Sequence, residues 1–137
     1  MAKKFGFETW AFLVIGAPGE DRKKLQETLD FVKELDPDFA KFHILRPFPG
    51  SELFRQLKSQ GLIFDFNYSN YNVYSPPVHS LPSLSAEEIK QFHKKAFRDF
   101  YFRPKKMAQH IARIKTPTQL FLNAKSAIYI LKQMFLS

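Results

Sequence analysis

The chain has 137 residues and a mass of 16.1 kDa, which is the size of one ordinary domain. Its composition, 45% hydrophobic and 25% charged, is that of a globular protein rather than a disordered one. The sequence contains no Cys, which excludes disulfides, thiolate zinc sites, Cys nucleophiles and any Cys-ligated iron–sulfur cluster held by this chain alone.

The formal net charge is +8, and the segment from residue 85 to residue 137 carries all of this excess, with 11 basic and 3 acidic residues. Such asymmetry is compatible with nucleic acid, an anionic membrane surface or an acidic partner. We favour the solvated face of a basic helical tail, because basic excess alone is weak evidence of a partner. No run of 18 apolar residues and no signal-like apolar segment is present, so we expect a cytoplasmic protein.

Two strand–helix units are predicted in the first half of the chain. The unbroken apolar run Trp10–Ile15 ends at Gly16 and is typical of a parallel-sheet strand buried on both faces. Apolar residues at helical spacing predict a helix over 21–35. Residues 39–45 alternate in polarity and predict a second strand, after which Ser51 can cap a further helix. Short connections between these elements predict a parallel strand pair.

The second half begins with a long loop and continues in helices. Residues 66–86 carry no formal charge and are rich in Asn, Tyr, Ser and Pro, which is typical of a long ordered loop or a linker. Ser85 and Glu88 have the spacing of a capping box, which predicts a helix start. Pro104 opens a shorter helix, and Thr116, with Pro at the first helical position after it, opens the last helix.

These elements predict an α/β fold in three parts. A βαβα part covers residues 1–61, a Pro/Ser/Asn/Tyr-rich loop covers 62–84, and a basic α-helical extension covers 85–137. Two parallel strands do not make an independent sheet, and the first strand needs cover on both faces and partners on both edges. We therefore expect a partner, self-association, or a larger barrel or sheet to which this chain contributes.

Several segments resemble radical S-adenosylmethionine (SAM) enzymes. Residues 12–20, Phe-Leu-Val-Ile-Gly-Ala-Pro-Gly-Glu, resemble the fifth-strand motif of that family. Residues 42–53, Phe-His-Ile-Leu-Arg-Pro-Phe-Pro-Gly-Ser-Glu-Leu, resemble its sixth strand and the turn that follows. The single helix between them, the Leu-Ser-Ala-Glu-Glu start at 84–88 and the Tyr-Phe-Arg-Pro at 101–104 resemble the subgroup that carries an N-terminal cobalamin-binding domain.

The resemblance implies a fold and a chemistry for a complete enzyme. Residues 1–61 would be the last two βα units of a parallel (βα) radical SAM barrel, and 85–137 its α-helical C-terminal extension. The complete enzyme would cleave SAM at a [4Fe-4S] cluster and act on a small organic substrate, while the use of cobalamin stays open. The CxxxCxxC and Gly-Gly-Glu motifs of the family are missing. We therefore expect a C-terminal portion that needs the missing N-terminal barrel portion and holds no cofactor alone.

The resemblance also assigns candidate site residues. The strand ends that approach the adenine of SAM correspond to Val14, Gly16, Leu45 and Pro47. The alternatives are a buried strand that ends in a turn Gly, and prolines that only stiffen a turn. Lys41 and His43 would face the barrel lumen and the substrate if the residues next to them face the helices, although a structural His fits equally well. We assign no catalytic residue and no metal ligand.

A different class of function stays open for the basic extension. An autonomous helical module could bind nucleic acid or an anionic membrane surface. Basic and aromatic residues are interleaved between Lys94 and Lys106, but the aromatic residues fit the inward face of an amphipathic helix better. We therefore expect no nucleic-acid partner and keep a membrane surface as the open alternative. Glu20 is interpreted as a residue that favours the positive end of a helix dipole.

Overall fold

The computed structural model describes residues 5–112 and the single positions Lys125 and Ile128. The elements are β1 (Trp10–Ile15), α1 (Arg22–Leu35), β2 (Phe39–Ile44), α2 (Glu52–Ser59), a 3-10 turn (Tyr68–Asn70), α3 (Ala86–Tyr101) and α4 (Pro104–Ala112). These bounds confirm the predicted strands and helices to within about two residues. The predicted last helix lies, apart from the two single positions, outside the described residues. Within residues 5–112, no helix is long and apolar enough to cross a membrane.

The two strands form a parallel sheet, which confirms the predicted pairing and the α/β class. Trp10 lies opposite Phe39 and Ile15 opposite Ile44. The connecting helix α1 begins where the Asp21 carboxylate accepts a hydrogen bond from the Lys24 amide at 2.8 Å. It ends at Asp36, whose φ of 46° lies in the left-handed region typical of a helix C-terminus.

Helix α3 begins at the predicted capping box. The Ser85 hydroxyl accepts from the Glu88 amide at 3.2 Å, and the Glu88 carboxylate accepts from the Ser85 amide at 2.8 Å. Arg22 at the start of α1 donates to the same carboxylate through its Nε at 2.8 Å. The hydrogen bonds from Ser85, followed by the one from Arg22, lower the pKa of Glu88 to about 2. The Glu88 carboxylate therefore links the start of α1 to the start of α3.

One face of the sheet packs against α1 and α3. Phe42 is 2% exposed and makes edge-to-face contacts with Phe97 and Phe100, at centroid distances of 5.3 and 6.3 Å. Ile15 and Ile44, at the other end of the same face, belong to a second apolar cluster that includes α2 and buried residues of the loop, which are Ile63, Tyr71, Val78, Leu81 and Leu84. The loop is therefore part of the core.

The opposite face of the sheet is not covered by any element in residues 5–112. Trp10, Phe12 and Val14 project from it with 46%, 66% and 50% of their surface exposed. The prediction that β1 is buried on both faces is therefore wrong for the described chain. The physical reason is that α1, α3 and the loop all pack on one side, and the other side receives no helix.

The two outer edges of the sheet differ as well. On the β2 edge, the Tyr101 hydroxyl accepts from the Ala40 amide at 3.1 Å and donates to the Ala40 carbonyl at 2.7 Å. His93 Nε2 lies 2.9 Å from the Phe42 carbonyl on the same edge. Side chains of α3 thus satisfy backbone groups that a further strand would otherwise use. The β1 edge has no strand neighbour within residues 5–112.

Candidate ligand site at the carboxyl ends of the strands

The parallel pairing brings the carboxyl ends of both strands together, which is where βα folds place their ligand sites. Val14 lies opposite His43, and the Leu45 amide extends the ladder by donating to the Ile15 carbonyl at 2.8 Å. Val14 and His43 lie on the uncovered face. Pro47, the last of the predicted strand-end residues, is fully buried, so its ring presents no surface to a ligand.

Gly16 is held from both sides of its backbone. Its amide donates to Glu20 Oε2 at 2.7 Å, and its carbonyl lies 2.9 Å from His79 Nε2. The Ala17 amide donates to the same Glu20 oxygen at 3.0 Å. Gly16 has φ +83°, a backbone conformation that favours glycine, and an added Cβ would contact Ile89 Cγ2 at 3.4 Å. Glu20 therefore organises the turn in addition to lying near a helix start.

Lys41 and His43 lie on the uncovered face because Phe42 and Ile44 face the helices, which was the condition of the prediction. The Lys41 ammonium lies 5.4 Å from the Trp10 ring centroid and 5.9 Å from that of Phe12, within the range of cation–π contacts. The exposed face is therefore aromatic, with one cation along it.

A small cavity of about 70 Å³ lies beside β2. Its lining includes Lys41, His43 and His93, with Val73 and Tyr74 from the loop. Partial burial, and then the Lys41 ammonium, lower the pKa of His43. Burial likewise lowers the pKa of His93, partly offset by its bond to the Phe42 carbonyl. Both imidazoles are therefore neutral at neutral pH, and a neutral imidazole nitrogen can accept a proton or a hydrogen bond.

The sequence did not predict that His79, His93 and Tyr74 lie near this end of the sheet. His79 is 63 positions from Gly16, and His93 is 51 positions from Phe42. Hydrophobic periodicity and helix caps are local signals, and neither reports which loop residue returns to a strand end. A lone His within an uncharged loop was the only available signal for His79.

The residues present do not fit an iron–sulfur cluster. The chain has no Cys. Within the described part of the chain, no group of three or more His, Asp or Glu side chains is arranged to hold a metal ion. Any cluster of the kind that the resemblance implies would need ligands from elsewhere.

The basic residues around the α3–α4 junction are largely paired. The Asp36 carboxylate forms ion pairs with Lys106 at 2.8 Å, Lys105 at 3.0 Å and Arg103 at 3.4 Å. Asp99 similarly pairs with two cations of α3, Lys95 and Arg98. The Lys106 side chain is almost completely buried, so this cluster ties the end of α1 to α4. The interleaved aromatic residues Phe97 and Phe100 lie in the core, as predicted, whereas Phe102 is 49% exposed because it follows the end of α3.

The described residues form a two-stranded α/β unit with one uncovered sheet face. Comparison with known proteins identifies proteins that are similar to this chain. An uncharacterized methyltransferase of Pyrococcus horikoshii is 36% identical over 110 residues, which cover 80% of this chain and 24% of the relative. The cytidylyl-2-hydroxyethylphosphonate methyltransferase of Streptomyces wedmorensis is 32% identical over 107 residues, covering 72% and 20%. The anaerobic magnesium-protoporphyrin IX monomethyl ester cyclase of Cereibacter sphaeroides is 30% identical over 95 residues, covering 69% and 15%.

These relatives are, by name, methyltransferases and a cyclase, and the chain is similar to a part of each. The chain spans a quarter or less of the length of the curated relatives it matches. No protein-family model matches the chain.

Proposed function

We propose that the chain is the C-terminal portion of a radical SAM enzyme of the cobalamin-associated type. In this proposal, residues 1–61 are the last two βα units of the barrel, 62–84 a connecting loop and 85–137 a helical extension. The observation that carries the proposal is the uncovered sheet face, where Trp10, Phe12 and Val14 are about half exposed or more. Apolar strand surface of this kind is normally covered in βα folds, because parallel sheets are buried on both faces.

Two further observations support the proposal. The similarity to methyltransferases and a cyclase extends over most of this chain but over a quarter or less of each relative. A longer polypeptide would supply strands next to β1, whose outer edge has no strand neighbour within residues 5–112. Because two of the three relatives are named methyltransferases, we propose methyl transfer as the reaction of the complete enzyme, which would act in the cytoplasm.

In the proposed enzyme, the end of β1 forms part of the adenosine pocket of SAM. Val14 offers exposed apolar surface on which a flat base can lie, and Gly16 permits the positive φ of the turn that follows it. Leu45 contributes further apolar surface beside them, and Pro47 stiffens the backbone that follows. When bound, SAM would supply the reactive group of the complete enzyme. The residues of this chain would bind SAM and orient it.

Lys41 and His43 are proposed to form part of the substrate wall. Both lie on the uncovered face, and the neutral His43 imidazole can accept a hydrogen bond from a substrate there. Lys41 offers a cation to an anionic group or contacts a flat aromatic substrate together with Trp10.

The proposal is tested by sequencing the DNA directly upstream of the Met1 codon and translating it in the same frame. The expected result is an open frame that encodes CxxxCxxC within a few hundred codons. Stop codons in that frame, with a ribosome-binding site before Met1, would contradict the proposal. In that case the basic helical module becomes the leading candidate, and binding to polyanions or anionic vesicles should weaken steeply with salt.

A further inference from the structure

The loop between α2 and α3 contacts the carboxyl ends of both strands through residues 75–83, which we call the strap. Arg46, just after β2, donates to the Pro76 carbonyl at 2.5 Å and also to the Ser75 carbonyl. At the end of β1, His79 bonds the Gly16 carbonyl, and the Ser83 hydroxyl donates to the Glu20 carbonyl. The strap therefore crosses the edge where the candidate ligand site lies.

His79 occupies a rigid position within the strap. It forms an antiparallel bridge with Ile63, and the Ser80 amide donates to the Leu62 carbonyl at 2.9 Å. On the other side, the Phe64 amide donates to the Val78 carbonyl at 3.3 Å. His79 itself is 0% exposed. The backbone of His79 is therefore held in place and its ring is buried. The direction of the hydrogen bond to Gly16 is fixed as a result.

The acceptor at Gly16 determines the tautomer of His79. A carbonyl oxygen can only accept, so Nε2 carries the hydrogen and donates. Nδ1 is then a bare acceptor, and it has no hydrogen-bond partner within the described residues. Leaving the buried Nδ1 acceptor unpaired is unfavourable, and an Asn or Gln side chain could also donate to this carbonyl. The imidazole ring differs from an amide side chain in that its N–H donor has one fixed orientation.

We propose that His79 is a positioning residue, which holds the Gly16 peptide in the one orientation that lets a ligand bind at the end of β1. The inference rests on the proposed function for the identity of the ligand, SAM. In the Gly16–Ala17 peptide, Glu20 accepts from the Ala17 amide and His79 holds the Gly16 carbonyl. Loss of the His79 donor leaves the carbonyl free to rotate away, and because His79 is fully buried it acts through the peptide and not through its own surface.

The first test uses the 137-residue chain and hydrogen exchange at the Ala17 amide, which belongs to the peptide that His79 holds, measured relative to the Phe97 amide in α3. His79→Leu removes the donor and keeps an apolar volume, and His79→Gln keeps an N–H donor. Val78→Ala is the matched control, because Val78 is equally buried in the strap and does not bond Gly16. We expect the relative exchange rate to rise about tenfold in His79→Leu and to stay within about threefold in the other two.

The second test uses the complete enzyme and the dissociation constant for SAM. We expect an increase of about tenfold in His79→Leu, rescue to within about threefold in His79→Gln, and no increase in Val78→Ala. Equal losses in His79→Leu and Val78→Ala at equal thermal stability would overturn the proposal, because His79 would then be only a core residue. Unchanged exchange of the Ala17 amide in His79→Leu would also overturn it.

The two tests separate this inference from the proposed function. A wild-type enzyme that binds no SAM would contradict the proposed function. The exchange measurement at the Ala17 amide would still decide whether His79 holds the peptide.

Discussion

The two faces of the same small sheet differ sharply. Phe42 on one face is 2% exposed and contacts two aromatic rings of α3, whereas Phe12 on the other face is 66% exposed. Both are Phe residues in the middle of neighbouring strands. Within residues 5–112, the apolar side chains of β1 therefore have cover on one face of the sheet only.

The two edges of the sheet repeat this contrast. Tyr101 and His93 bond the outer backbone groups of β2, so that edge is closed by α3. The β1 edge has no strand neighbour in the described range. A further strand can therefore be added beside β1 but not beside β2. The unfinished side of the molecule is one continuous region, made of the β1 edge and the uncovered face.

The largest expected effect comes from truncating the two Phe residues in parallel. Phe42→Ala should lower the free energy of unfolding by about 3–5 kcal/mol, because it leaves a cavity between β2 and α3. Phe12→Ala should lower it by less than about 1 kcal/mol, because this ring is already in contact with solvent. Urea unfolding followed by circular dichroism measures both. Similar losses for the two variants would show that the uncovered face is in fact buried.

The closed edge is tested by Tyr101→Phe, which removes one hydroxyl and two hydrogen bonds to Ala40. Burial raises the pKa of Tyr101, so the hydroxyl stays protonated and able to donate. We expect a loss of about 1–3 kcal/mol, because backbone groups on a covered edge are left without a partner. Tyr74→Phe, on an exposed side chain, is the control and should be nearly neutral. Equal effects would mean that the hydroxyl does not close the edge.

The pH dependence of stability should report the two buried imidazoles. Burial lowers the pKa of both His79 and His93 below the ordinary 6.5, so the unfolded chain binds more protons than the folded chain just below that pH. Their contribution is fully present above about pH 6.5 and is lost as the pH falls toward the lowered values. Unfolding midpoints measured between pH 5 and about 8 should therefore fall toward the acid end.

The control for this effect is His93→Gln, which keeps a donor but cannot titrate. The slope of stability against pH should become smaller in this variant. The Glu88 carboxylate, with a pKa of about 2, is protonated in the folded chain only at lower pH. It therefore does not alter the slope that the imidazoles produce. An unchanged slope would mean that His93 is not buried as a neutral ring.

The smallest effect is expected on the uncovered face itself. Lys41→Met removes the cation that lies near the Trp10 and Phe12 rings. We expect a loss of about 0.5–1 kcal/mol at most, because the contact is exposed to solvent. A loss several times larger, measured by the same urea unfolding, would indicate that Lys41 is covered in solution.

Local features of the fold were predictable from the sequence, and long-range contacts were not. The apolar run Trp10–Ile15 and the capping box at Ser85 predicted their elements because strand and helix signals lie within a few residues. Pairings such as Tyr101 with Ala40, 61 positions apart, have no such signal. For the candidate site, Val14 and Gly16 were predicted at a strand end and His43 on the lumen-facing side of β2. His79 was not predicted, because only folding brings the strap to β1.

The most direct test of the account measures whether the uncovered face is exposed in the isolated chain. Trp10 is the single tryptophan of the sequence and lies on that face, so its fluorescence reports on nothing else. Acrylamide quenching should be measured together with the solution mass over a series of protein concentrations. We expect a readily quenched Trp10 in the monomer, with protection only when copies associate. A monomer in which Trp10 is protected would contradict it, because the chain would then cover its own sheet.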